Sequence, residues 1–194
     1  MEKLSRGNLW SLEQYAEERP AFRARVMAHK TPRRVPIGPH ATLYFEDFLT
    51  MKYQVQEMLR AERIFEAAGI EEEVAAYNPL IPDGRNLKAT FMIEYSQVDE
   101  RRRALAALAG IENSVWLRAG TGEKRFAIAN EDLDRSTDQK TAAVHFLRFE
   151  LDQPSIEAFK SGVVPIVFGI DHPGLAGHVT LSDVQRESLA ADLD

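Results

Sequence analysis

The run AAVHFLRFEL, residues 142–151, alternates along its whole length: Ala143, His145, Leu147, Phe149 and Leu151 fall on one side, Val144, Phe146 and Arg148 on the other. A repeat of two is strand geometry, and a strand with one continuous apolar side requires hydrogen-bonding neighbours and a cover for that side. The same pattern recurs in Leu87, Ala89, Phe91, Ile93 and Tyr95, with Lys88, Thr90, Met92 and Glu94 facing the other way. Ala41–Glu46 gives a third strand, with Leu43 and Phe45 opposite Tyr44 and Glu46. Any fold for this chain has to pair these strands.

Helical signals lie between them. Ser11 with Gln14, Ser96 with Asp99 and Ser182 with Gln185 each have the spacing of a capping box, in which a hydroxyl accepts from the third helical N–H. The spacing from Asp47 to Ala68 predicts one long helix closed by Gly69. Shorter helices are expected near Glu71–Tyr77 and Ser155–Lys160. Pro20 either kinks the first helix or starts a second. The basic segment KTPRRVPIGPH, residues 30–40, holds three prolines and a glycine and reads as an irregular connector. Val115–Arg118 and Arg125–Ala129 flank AGTGEK as a hairpin, NEDLDRSTDQKT is a loop, and the almost wholly apolar Val163–Ile170 suits a strand covered on both faces. The expectation is one α+β domain over residues 1–194, a mainly antiparallel sheet packed against a long central helix and several shorter helices.

Composition narrows the function. Twenty-four basic and thirty acidic residues give a net charge of −6, which disfavours binding to nucleic acid or anionic lipid. With no cysteine there is no disulfide, thiolate metal site or thiol nucleophile, so any metal must take nitrogen and oxygen ligands. MEKLSRGNLW lacks the apolar core of a secretory signal, and no stretch of about 18 apolar residues suits a membrane span, so the cytoplasm is the expected location. AGTGEK is not followed by the GK[ST] of a phosphate loop, DLDRSTD lacks the glycine and late glutamate of a calcium loop, and there is no GxSxG.

The sharpest feature is YQVQEMLRAER, residues 53–63, where amides and charges crowd a helix. At about 100° per residue, Phe48, Met51, Val55, Met58, Leu59 and Phe65 form an apolar stripe, and Glu62 falls inside it. Tyr53, Arg60 and Ile64 gather on a second flank, so the helix is expected to be contacted from more than one side. A carboxylate turned to a core must be paired, neutralised or metal-bound. Arg33, Arg34 and Arg148 are candidate partners for Glu62, a metal or acid–base role for Glu62 or Glu57 is an alternative, and solvent exposure is a third. Glu62, Glu94, His145 and His172 are the candidate metal ligands, of a kind suited to Fe, Mn or Zn, although none has the spacing of a helical metal motif. In the same way Arg33, Arg34, Arg60 and Arg148 form a candidate anion site, because guanidinium groups grip carboxylate or phosphate bidentately.

The segments RRVPIGPHATLYFEDFLTMKYQVQEMLRAERI, EEVAAYNPLIPDGRNLKATFMIEY and KTAAVHFLRFEL, followed by IDHP and DVQRESLAADL, closely resemble a bacterial family, domain of unknown function 3501, in the same order along nearly the whole chain. The resemblance implies a cytoplasmic accessory in peroxide defence or electron transfer, with a rubrerythrin-type di-iron protein and an iron–sulfur oxidoreductase as partners. It carries over no catalytic residues.

Overall fold

The structure, a computed structural model, describes residues 2–137 and 139–194. The chain opens with α1 (Leu12–Lys30), capped by the Ser11 hydroxyl accepting from Gln14 N–H, and Pro20 lies within this single helix. It is followed by β1 (Arg34–Ile37), β2 (Ala41–Glu46), α2 (Phe48–Glu62), α3 (Ala67–Tyr77), β3 (Asn86–Ile93) and α4 (Val98–Ala107). Then come β4 (Val115–Ala119), β5 (Arg125–Phe126), β6 (Ile128–Ala129), β7 (Val144–Glu150), α5 (Gln153–Ser161), β8 (Ile166–His172), β9 (Leu175–Thr180) and α6 (Asp183–Ala190).

The strands form two sheets, one ordered β1-β2-β3-β7-β6 and the other β5-β4-β8-β9. Every named strand pairing is antiparallel. The architecture is α+β. Both sheets contribute to one core, where Phe45 of β2 and Phe149 of β7 meet Phe168 of β8 at ring separations of 5.1 and 5.2 Å. Burying each such side chain stabilises the fold by about 1.5–3 kcal/mol. The strand expected opposite β4, Arg125–Ala129, is divided between the sheets: β5 pairs with β4, β6 pairs with β7, and Ala127 between them donates its N–H to Val115 O at 2.8 Å.

Three expectations about the first half and the start of α4 are corrected. The proline-rich connector contains β1, which pairs with β2 from Arg34↔Tyr44 to Ile37↔Ala41. Pro36 is tolerated because β1 is an edge strand, where a missing N–H need not face a partner. The long helix also stops earlier than expected: Arg63 adopts the left-handed conformation at φ 57° and caps α2 at Glu62, and α3 starts four residues later. The opening of α4 differs as well, since its N-cap is Gln97, with no side-chain cap, and not Ser96.

Two apolar clusters flank α2. Met51, Val55 and Leu59 pack with Leu4, Val74 and Ile81, while Tyr53 packs with Tyr15, Phe22 and Val26 of α1. Its polar residues answer to both flanks. Gln56 is fully buried and clamps the backbone of Trp10, accepting its N–H at 2.7 Å. Glu57 receives the Tyr15 hydroxyl at 2.6 Å and the Arg19 guanidinium at 2.7 and 2.8 Å. That pairing holds the Glu57 carboxyl at about 2, chiefly through the Arg19 hydrogen bonds. Among the described residues no helix is long and apolar enough to cross a membrane.

Candidate functional site

The alternation of β7 turns His145 inward beside Phe91, and the imidazole is completely buried. A polar network surrounds it. Nε2 lies 3.0 Å from Ala142 O and 2.7 Å from the Thr141 hydroxyl. A carbonyl can only accept, so Nε2 carries the proton, and Nδ1 accepts from the Asn130 side-chain amide at 2.9 Å. Asn130 reaches this position from a left-handed backbone conformation, φ 51°, directly after β6. Asparagine is one of the few residues that tolerates it.

The Thr141 hydroxyl donates to Glu112 Oε2 at 3.3 Å and accepts from the Ser136 hydroxyl, 2.9 Å away. Glu112 sits on a 3-10 helix (Ile111–Ser114) that Gly110 starts with φ +80°, and only 4% of its surface is exposed. Its carboxylate lies 4.0 Å from His145 Nε2. Burial pulls the His145 pKa below the ordinary imidazole value, partly offset by the Glu112 charge, so the ring is neutral at pH 7. Beside this network opens a polar cavity of about 520 Å³, lined by Glu112, Asn130, Asp134, Arg135 and Ser136 among others.

The residues singled out in the sequence lie elsewhere or apart. Glu62 is exposed, because α2 ends there and the apolar stripe has no packed surface left to continue on. Glu94, also exposed, follows β3 and accepts from the Thr42 hydroxyl at 2.8 Å. His172 ends β8, with Nε2 3.2 Å from Ala109 O and Nδ1 accepting Gly174 N–H at 3.0 Å. With His145 in its own network, the four candidate metal ligands do not converge. Among the described residues no group of three or more His, Asp or Glu side chains could hold a metal ion.

The four arginines do not converge either. Arg33 is buried and donates to the carbonyls of Phe45, Glu46 and Ser188 at 3.1, 3.2 and 3.0 Å and to the Asp192 carboxylate, with Asp47 3.5 Å away. Arg148 grips Glu131 bidentately at 2.7 Å and also reaches Glu150. Arg34 and Arg60 are exposed, Arg34 lying over the Tyr44 ring and Arg60 in the last turn of α2. A buried arginine does answer buried acids in this fold, but the acids are Asp192 and Asp47, not Glu62. Sequence reasoning passed over Glu112, Thr141, Asn130 and Asp192. The Ser-, Asp- and Asn-rich stretch around 130–141 reads as solvated loop, and nothing local links Glu112 to His145.

A family model described as "Protein of unknown function (DUF3501)" matches residues 3–193. The chain is also similar to the protein in a crystal structure of a "novel protein of unknown function" from Burkholderia pseudomallei K96243. Identity is 48%, the match covers 100% of both chains and the TM-score is 0.93. No curated protein matches.

Proposed function

The chain belongs to the DUF3501 family of proteins of unknown function, and we propose that it serves as an accessory of a peroxide-defence redox system, docking a rubrerythrin-type di-iron protein that works with an iron–sulfur oxidoreductase. Two things support the reading. One is the partners implied by the family resemblance. The other, which carries the reading, is an open cleft of about 480 Å³ where the N-terminal segment meets the α2–α3 corner, lined by Leu9, Trp10, Leu12, Leu59, Ile64 and Phe65. Phe65 is 74% exposed at its rim. An exposed aromatic contiguous with a largely apolar cleft forms a patch of the kind that protein contacts cover.

The test is to mix the purified protein with the rubrerythrin-type protein and the iron–sulfur oxidoreductase of its own host and measure association. Wild type should form a complex that Phe65→Glu weakens at least tenfold with little change in melting temperature, since the side chain is exposed. A strain lacking the gene should survive peroxide poorly, and the wild-type gene but not the F65E gene should restore it. No complex together with normal peroxide survival overturns the reading.

A further inference from the structure

A second site, independent of the docking cleft, follows from the charge arrangement around Glu112. A buried carboxylate is expected to have a cationic partner or a set of hydrogen bonds that replaces water. Among the described residues no lysine or arginine comes within 4.0 Å of Glu112; its one basic neighbour at that distance is the neutral His145. Its hydrogen-bond donor is the Thr141 hydroxyl at 3.3 Å. The one guanidinium on the cavity wall, Arg135, is already committed to both carboxylate oxygens of Asp132 at 2.5 and 2.6 Å and lies over the Phe146 ring. Asp134 adds a further negative charge at the rim. The space beside Glu112 is therefore negative and rich in hydrogen-bonding groups, and its volume of about 520 Å³ falls within the range of roughly 300–1,000 Å³ typical of small-molecule sites.

We propose that this cavity binds a small hydrophilic organic cation, an ammonium or guanidinium compound whose charged nitrogen pairs with Glu112 and whose remaining polar groups meet Asn130 and Ser136. The network behind the carboxylate suits such a ligand. Thr141 points its hydroxyl at one carboxylate oxygen, Ser136 in turn donates to Thr141, and the one Nε2 proton of His145 is shared between Thr141 and Ala142 O. Glu112 is thus held in place as an acceptor, with no internal cation to displace.

Calorimetric titration of the full-length protein tests the proposal with agmatine and ethanolamine as cationic probes, glycerol as a neutral control, acetate and phosphate as anionic controls, and potassium chloride to match ionic strength. A saturable isotherm with one or both cations, weakened at least tenfold by Glu112→Gln and accompanied by shifted His145 imidazole resonances in nitrogen-15 NMR spectra, is the expected result. If E112Q does not fold, Ser136→Trp, which fills the cavity from its half-buried rim, should abolish binding in a protein that still melts in one cooperative transition, at a temperature lowered by the loss of the Ser136–Thr141 hydrogen bond. The proposal is overturned if neither cation binds saturably, if E112Q or S136W binds as tightly as wild type, or if acetate or phosphate binds instead. None of these outcomes bears on docking through Phe65.

Discussion

Replacing Arg33 by methionine removes the guanidinium that lies between two buried acids, Asp192 and Asp47, the second of which also contacts His29, while keeping most of the side chain's length. Arg33 ties together the start of β1, the end of β2 and the C-terminal α6 through the carbonyls of Phe45, Glu46 and Ser188 and the carboxylates of Asp192 and Asp47. Removing one partner of a buried pair costs about 3–5 kcal/mol. Orphaning buried carbonyls adds about 1–3 kcal/mol for each that water cannot reach. A loss of at least 4 kcal/mol is expected, a large share of the roughly 5–15 kcal/mol that holds such a protein together. Protonation of Asp192 limits the loss at low pH, so the cost should be greater at pH 8 than at pH 5.5. Urea unfolding followed by circular dichroism at both pH values measures it, and Arg33→Met combined with Asp192→Leu should recover about half of the deficit by removing the stranded charge. A single-variant loss below about 1 kcal/mol, or a double variant less stable than R33M, would refute the argument that this arginine exists to neutralise interior acids.

Burial pushes the Asp192 carboxyl up to about 6, against the opposing pull of Arg33. The folded state thus binds this proton more tightly than the unfolded chain. That contribution is complete below pH 4 and is lost as pH rises through 6, a fall of about 3 kcal/mol that Asp192→Asn should abolish in stability-versus-pH curves. Asp47 acts in the opposite direction: it is held below the usual carboxylate range although burial opposes this, Arg33 being its chief favourable partner, and its share is lost as pH falls below about 4. Gln56→Ala should cost about 1–3 kcal/mol by leaving Trp10 N–H without its acceptor, read as a lower urea midpoint and a red-shifted tryptophan emission. Gly169→Ala would put a methyl 2.2 Å from the Trp116 ring across the β4–β8 pair, and the melting temperature should fall by the equivalent of about 1–3 kcal/mol.

The strands β3 and β7 and the capping box of α6 were legible in the sequence because each is a local pattern written in neighbouring residues. Three other features were not, for different reasons. β1 hides behind prolines that signal a break unless the strand's edge position is known. β9, Leu175–Thr180, carries small and weakly apolar residues over a half-exposed face, so its alternation gives little contrast. The end of α2 depends on Arg63 taking a left-handed conformation that steric freedom favours at the glycine six residues on. The site was harder still. His145 was correctly turned inward, but its partner Glu112 lies on a separate turn far earlier in the chain, and Arg33 meets Asp192 across 159 positions. Local periodicity can show that a polar group faces a core, but it carries no information about which distant group it will find there.

Ala127 is the single residue between a strand of one sheet and a strand of the other, and its own N–H is pinned to Val115. An edge that peels away from either sheet must therefore drag on its counterpart, so the two layers cannot loosen one at a time from this side. The amides of β5 and β6 should therefore exchange with solvent together rather than separately.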